Sequence, residues 1–318
     1  MKRNWKKLVL AAAGIFVVVQ LFGGIFFYEL AIKRGPKDYL QNNADLEVSD
    51  ETMDLYVNGG WTEWVSEQPF EKLTMTSRDG LQLNGYFLAA EKPTDKLVIL
   101  THGYLGNAKQ MGLFGIFYYQ ELGYNIFMPD ARGHGESGGT YYGFGWPDRL
   151  DLIDWTNLLL DKLGSKTEIA YHGLSMGAAT VLMASGEEEL PDQVKAIIAD
   201  SPYGSVYQLF AYQMNRMFHL PAFPLLDSTS LITRLRAGYF FREANSLKEV
   251  EHTDVPILYI HGKADTFVPV ANAIELYENT SSSTELLLVD GANHGESYAK
   301  EPDVYKAKVR QFLENTMK

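Results

Sequence analysis

Three side chains far apart in the chain, Ser175, Asp265 and His294, each stand where a predicted strand gives way to a loop. Together they could supply a nucleophile, its base and the acid that orients the base. Ser175 lies in Gly173-Leu174-Ser175-Met176-Gly177, after the apolar run 168–172 and before the small-residue stretch 178–186. A serine between two glycines at a strand-to-helix transition fits a nucleophile elbow. The turn strains the serine backbone, and a side chain at 173 or 177 would strike the neighbouring strand or helix. The elbow also sets the hydroxyl at a helix N-terminus, whose free N–H groups favour negative charge. His294, in Asp290-Gly291-Ala292-Asn293-His294-Gly295, follows the last predicted strand, and Asp265, in His261-Gly262-Lys263-Ala264-Asp265, follows the strand before it. The chain order Ser, Asp, His agrees with this architecture; Asp200, at the end of another strand, is the rival acid. The expected oxyanion donors are the backbone N–H groups of Met176 and of Tyr104. Tyr104 sits in Thr101-His102-Gly103-Tyr104-Leu105-Gly106-Asn107, where His102 is expected to fix the loop by hydrogen bonds and Gly103 and Gly106 to turn it back toward Ser175.

Elements able to bring these loops together are legible from residue 70 onward. Alternating Leu73, Met75 and Leu81, Leu83 around Arg78-Asp79-Gly80 predict a hairpin. Short apolar runs at 97–100, 124–128, 168–171, 194–199, 257–260 and 285–289 predict strands buried on both faces. Helical stretches at 108–122, around Leu152, Trp155, Leu159 and Leu163, and around Ala178, Ala271 and Val304 separate them. Strand-helix alternation after an antiparallel start predicts an α/β fold with a mostly parallel, doubly wound eight-stranded sheet. The aromatic-rich interval after Asp200 is too long for a simple crossover and predicts a helical cap over the site at about 202–250. The glycines at 135, 138, 139, 143 and 145 read as a mobile loop at the site entrance.

Residues 8–28 hold no charge and one strongly polar side chain, Gln20. As a helix they would rise roughly 30 Å, the thickness of a bilayer core, and they are too long and lack the small-x-small ending of a cleaved signal. The chain therefore divides into a basic tail (1–7), a transmembrane anchor (8–28), a packed juxtamembrane neck of short helices (29–68) and a catalytic domain (69–318). Lys2, Arg3, Lys6 and Lys7 precede the span, while Lys33, Arg34 and Lys37 flank it on the other side after Glu29, so the positive-inside bias points the N-terminus to the cytoplasm and the catalytic domain is expected outside, at a cell surface such as a bacterium's.

Composition excludes several classes. The absence of cysteine removes disulfides, thiolate nucleophiles and Cys-ligated zinc, and a net charge of −12 disfavours nucleic acid. No phosphate-loop or dinucleotide-loop spacing occurs, and His102, His134, His172, His219, His252 and His261 read as structural, so neither cofactor nor metal is expected.

His102-Gly103, Asp130-Ala131-Arg132-Gly133-His134-Gly135-Glu136-Ser137, the elbow, His261-Gly262-Lys263-Ala264-Asp265 and Asn293-His294-Gly295 together resemble the α/β-hydrolase superfamily over about 70–318. The chain is similar to monoacylglycerol-lipase-like and serine-aminopeptidase-like hydrolases and to membrane-anchored depalmitoylase-like enzymes. That resemblance implies a serine hydrolase; tether and apolar cap point to small amphiphilic acyl esters or thioesters. Two other readings stand beside it. An aminopeptidase would bind a substrate ammonium with a cap carboxylate, Asp227 or Glu243, and a catalytically silent membrane receptor or scaffold would reuse the fold. Acyl length, leaving group and oligomeric state are left open.

Overall fold

The continuous apolar runs become the centre of a single sheet. The computed structural model describes residues 2–40, 43, 46 and 49–317. The strands are β1 (Glu71–Thr76), β2 (Gln82–Leu88), β3 (Lys96–Thr101), β4 (Asn125–Pro129), β5 (Glu168–Leu174), β6 (Val194–Asp200), β7 (Ile257–Gly262) and β8 (Thr284–Val289), in the order β1-β2-β4-β3-β5-β6-β7-β8. β1 pairs antiparallel with β2, and β2 with β4; the other pairings are parallel. This is the α/β-hydrolase fold that the motifs imply. β3 and β6 lack polar alternation because helices cover both faces, and Leu97 through Leu100 and Ala196 through Ala199 are fully buried.

The helices are α1 (Lys2–Phe27), α2 (Asp50–Asn58), α3 (Gly60–Glu67), α4 (Gly112–Ile116), α5 (Trp146–Leu163), α6 (Met176–Ser185), α7 (Val206–Phe218), α8 (Leu225–Ala237), α9 (Ser246–Val250), α10 (Ala271–Asn279), α11 (Ser297–Lys300) and α12 (Pro302–Thr316). On one face of the sheet, Trp155, Val181, Leu182 and Leu276 pack against Ile99, Tyr171, Ile197 and Tyr259. On the other, Trp64, Phe114, Val309 and Phe312 pack against Val98, Leu100, Ile198 and Leu258. Within the predicted helix 108–122 the chain winds as a 3₁₀ turn, the short α4 and a π turn. Gly112 gives α4 its close seat under the neck, since a Cβ there would lie 2.1 Å from Val65 Cγ2.

A third apolar cluster joins the N-terminal segment to the cap: Tyr28 and Ile32 pack with Phe144, Met183, Tyr203, Leu226 and Phe241. α1 is long and apolar enough to cross a membrane, and its last turns lie along α8. Of the interval 202–250, α7 and α8 pack beside this N-terminal segment, whereas α9 packs on α6 in the sheet-covering layer.

Candidate active site

The elbow takes the strain on the serine itself. Ser175 has φ +54 and ψ −110, a conformation that costs a non-glycine residue about 1–3 kcal/mol. Its flanking glycines supply room: a Cβ on Gly173 would lie 2.3 Å from Gly177 O, and one on Gly177 would lie 2.0 Å from Thr101 O. Ser175 N–H donates to Asp200 O at 2.8 Å, which ties the nucleophile to the end of β6.

The loops after β7 and β8 bring the other two side chains to this point. His294 Nδ1 lies 2.7 Å from Asp265 Oδ2 and Nε2 lies 2.8 Å from Ser175 Oγ. A carboxylate accepts only, so Nδ1 carries the proton and Nε2 is left to accept from the serine hydroxyl. The other carboxylate oxygen, Asp265 Oδ1, accepts from the N–H groups of Phe267 and Val268 at 2.9 and 2.8 Å. Burial opposes ionisation of Asp265, but His294 and His261 outweigh it and hold the carboxyl below its usual range. Nothing in the spacing of the sequence singles out His261 as that second partner. Its Nε2–H is shared between Val268 O at 2.8 Å and Asp265 Oδ2 at 3.1 Å.

Met176 opens α6, so its N–H has no carbonyl one turn earlier to receive it. Among the described residues, neither this N–H nor that of Tyr104 is engaged by a protein acceptor. The Tyr104 loop is held from behind by two imidazoles. His102 Nε2 accepts from Ala131 N–H at 3.1 Å, and His134 Nε2 accepts from Leu105 N–H at 3.2 Å. Each Nδ1–H donates to a carbonyl, of Gly103 and of Arg132 respectively. Burial keeps His102 below its ordinary pKa, and burial together with the nearby His102 pushes His134 down to about 2, so both stay neutral acceptors. Gly106 N–H donates to Gly103 O at 3.0 Å, so the two glycines bound the turn, but neither supplies its left-handed conformation. The left-handed residue is Leu105, φ +62, whose N–H is the one His134 holds. Gly103 serves proximity instead: a Cβ there would sit 3.5 Å from Ser175 Cβ.

The rival acid, Asp200, lies beneath the site. It accepts from Ser201 Oγ and Tyr305 OH, each at 3.0 Å, and burial raises its pKa to about 6. Tyr305 also meets His172, which bonds Tyr118, while Ser201 Oγ accepts Gly295 N–H at 3.2 Å. A buried chain of polar groups thus ends on the residue beside His294. The neck grips the same loop: Tyr56 OH donates to Gly295 O, and Ser49 N–H to Glu296 Oε1 at 3.0 Å. No periodicity in residues 29–68 announces that role.

Glycines 135–145 do not form an open entrance loop. Arg34 donates to the carbonyls of Gly135, Ser137 and Gly139, Lys33 forms a β-bridge with Tyr141, and Arg132 makes a two-pronged ion pair with Asp151. Among the described residues no cluster of three or more His, Asp or Glu could hold a metal.

Ser175 stands at the waist between two cavities. The first, about 820 Å³ counting its mouth, is walled by Tyr104, Met176, Phe144, Phe210, Met214, Met217, Phe218 and Phe241, and by Phe27, Leu30 and Ala31 from the N-terminal segment. Among the described residues no charged side chain lines it. The second, about 1210 Å³, lies under the neck between Tyr56, Trp61, Leu113, Leu174 and His294. Asp227 and Glu243 line neither. Asp227 accepts from Tyr207 OH and pairs with Arg242, Glu243 accepts from Phe240 N–H, and both face a separate cleft.

Residues 112–318 match the model of the prolyl oligopeptidase family. The chain is 30% identical to the uncharacterized protein YqkD of Bacillus subtilis across 98% of both chains. It is 26% identical to mouse alpha/beta hydrolase domain-containing protein 17C over 76% of this chain and 67% of that one. Among solved structures, the esterase Pf2001 of Pyrococcus furiosus superposes with a TM-score of 0.64 at 26% identity, covering 80% of this chain and 96% of its own.

Proposed function

Because this chain belongs to the prolyl oligopeptidase family and is a serine hydrolase of the α/β-hydrolase type, we propose that it is a membrane-anchored hydrolase of carboxylic esters or thioesters. Its catalytic residues are Ser175, His294 and Asp265. His294 Nε2 takes the proton of Ser175 Oγ as the oxygen attacks the carbonyl carbon, and the N–H groups of Met176 and Tyr104 receive the oxyanion. Collapse of the tetrahedral intermediate breaks the bond to the alcohol or thiol, which leaves with the proton from His294. Water then repeats the sequence on the acyl-serine, freeing the acid and restoring the hydroxyl.

The observation that supports this reading is the first cavity beside Ser175, which no charged side chain lines among the described residues. His294 must hand its proton to the leaving atom, and His294 lines only the second cavity. The leaving group therefore sits under the neck and the acyl group among the aromatics of the cap. An aminopeptidase would need an anionic pocket for the substrate ammonium, and the two candidate cap carboxylates, Asp227 and Glu243, are paired elsewhere.

The domain division is an anchor over 8–28, a neck over 29–68 and a hydrolase domain over 69–318 with a cap between 202 and 250. The positive-inside bias favours an extracellular hydrolase domain. Four cations of the tail precede the span, against Lys33, Arg34 and Lys37 after it, of which Lys33 pairs with Glu29.

The test is covalent labelling of the full chain in detergent by a fluorophosphonate, followed by p-nitrophenyl acyl esters against aminoacyl-nitroanilides. Labelling lost in Ser175→Ala and a preference for the esters are expected. A preference for the anilides would defeat the esterase reading, and folded protein that takes no label would make the chain a silent scaffold.

A further inference from the structure

Resting on the hydrolase reading, we propose that the end of the membrane-spanning helix is itself a wall of the acyl site, and that the substrate's long acyl chain enters sideways from the bilayer between α1 and the cap. The apolar helical stretch long enough to span runs on past α1 through a π-helical turn, Tyr28–Ile32, and its Phe27, Leu30 and Ala31 line the same cavity as Ser175, Met176 and Tyr104. The contact with the oxyanion loop is direct: Tyr104 OH donates to Ala31 O at 2.7 Å. An anchor that only tethered its domain would have no reason to reach the nucleophile's pocket.

The cap is seated at the depth of the span. A Cβ on Gly24 would lie 2.9 Å from the backbone of Ser228, and one on Gly23 would lie 2.5 Å from Leu225 Cδ1, so α1 and α8 meet at close range through small residues. Ser228 Oγ, whose proton is shared with Pro224 O at 3.1 Å, lies 3.2 Å from Gln20 Oε1 and so gives the amide oxygen of the span's one strongly polar side chain a partner on the cap. These contacts fall on residues 20–24, inside the apolar stretch, so the start of α8 lies level with lipid. Exposed apolar side chains stand before α8 and along it, Phe223 at 75%, Leu231 at 51% and Leu235 at 74%, with Arg234 and Arg236 exposed beside them toward its end. The apolar side chains fit hydrocarbon, with which they are continuous through α1. At the mouth, Phe218 packs edge-on against Phe27 with ring centres 5.2 Å apart, and both rings line the cavity. Farther along, Arg236 bonds Glu29 at 2.8 Å, marking where the span reaches polar surroundings. An acyl chain in the adjoining leaflet thus meets the apolar mouth without crossing water, while its ester group lies near the polar boundary where Ser175 waits.

The full chain is reconstituted in phosphatidylcholine vesicles as wild type, Ala31→Trp and Leu30→Trp. The reading is the ratio of kcat/KM for p-nitrophenyl laurate over butyrate. Filling the anchor-side wall is expected to lower that ratio at least about tenfold, as lost room in an apolar pocket does. A merely structural fault slows both esters together, and an unmoved ratio in both variants overturns the proposal. In a second arm, monooleoylglycerol is supplied either in the enzyme's own vesicles or on albumin. Faster hydrolysis from the shared vesicles is expected; equal or faster hydrolysis from the albumin complex overturns lateral entry. Ser175 labelling by a short fluorophosphonate runs alongside. Normal labelling with an unmoved ratio sinks this inference alone, whereas absent labelling in folded wild type sinks the hydrolase reading beneath it.

Discussion

Replacing Gly177 by alanine probes the elbow with one methyl group. The added carbon would lie 2.0 Å from Thr101 O, 2.6 Å from Thr101 C and 2.8 Å from His102 O. All three are backbone atoms, which cannot swing aside as a side-chain tip can. Ordinary contact needs roughly 3.5 Å, so α6 and the end of β3 must part by about 1 Å or more. Thr101 Oγ1 donates to Gly177 O at 3.1 Å across the same seam, so parting them also strains a buried hydrogen bond. Overpacking of this kind costs about 1–3 kcal/mol, or roughly 2–12 °C of melting temperature for a domain this size. Catalysis suffers separately: Thr101 leads into the Tyr104 loop and Gly177 follows Met176, so the two oxyanion donors move apart. A displacement of about 1 Å in such a site costs on the order of 10²-fold in rate. Gly60→Ala is the control, because nothing lies within 4 Å of its added carbon. The assay measures thermal unfolding of the full chain in detergent, fluorophosphonate labelling rate and butyrate-ester turnover. A Gly177→Ala protein that melts and turns over like the Gly60→Ala control would refute the account of the elbow.

Asp265→Asn keeps the shape but offers His294 a neutral partner; turnover is expected to fall by about 10⁴ while the protein stays folded, and a drop under tenfold argues against Asp265 as the acid. Asp200 yields a stability prediction with a defined sign. Its carboxyl keeps its proton up to about pH 6 when folded, against 3.8 for the free group, so the folded state binds more protons between those values and stability declines as pH rises through that window. By pH 7 the loss is roughly 3 kcal/mol. Buried His172, lowered to about 3, pulls the other way, so the quantity to measure is the difference between wild type and Asp200→Asn by denaturant titration from pH 4 to 7.5. A difference that stays flat over that range contradicts the assignment. Tyr56→Phe frees the Gly295 carbonyl from the neck; kcat is expected to fall several-fold with KM little changed, and identical kcat shows that the neck does not steady the histidine loop.

The sheet was legible because each central strand is a short unbroken apolar run, and the sites at 175, 265 and 294 because they follow such runs directly. Backbone-borne features were harder to read. Leu105 carries the left-handed turn that the glycines beside it seemed made for, since His134, 29 positions away, holds its N–H. Likewise Arg34 reads as a membrane-flanking charge, yet its guanidinium faces three carbonyls of the glycine-rich loop. Long-range partners of this kind leave no periodic mark. The neck reads as packed short helices and the apolar stretch as membrane attachment, and only contacts with Gly295 and Tyr104 give their residues a place at the site.

The β-bridge between Lys33 and Tyr141 turns what could have been a leash into a pedestal. With the chain stitched to the body directly after the π-helical turn that ends at Ile32, the proposed anchoring would hold Ser175 at one altitude over the lipid. On that proposal, acyl groups borne on long stalks would pass overhead, and the reach of the site would be the thin layer where chains enter the leaflet.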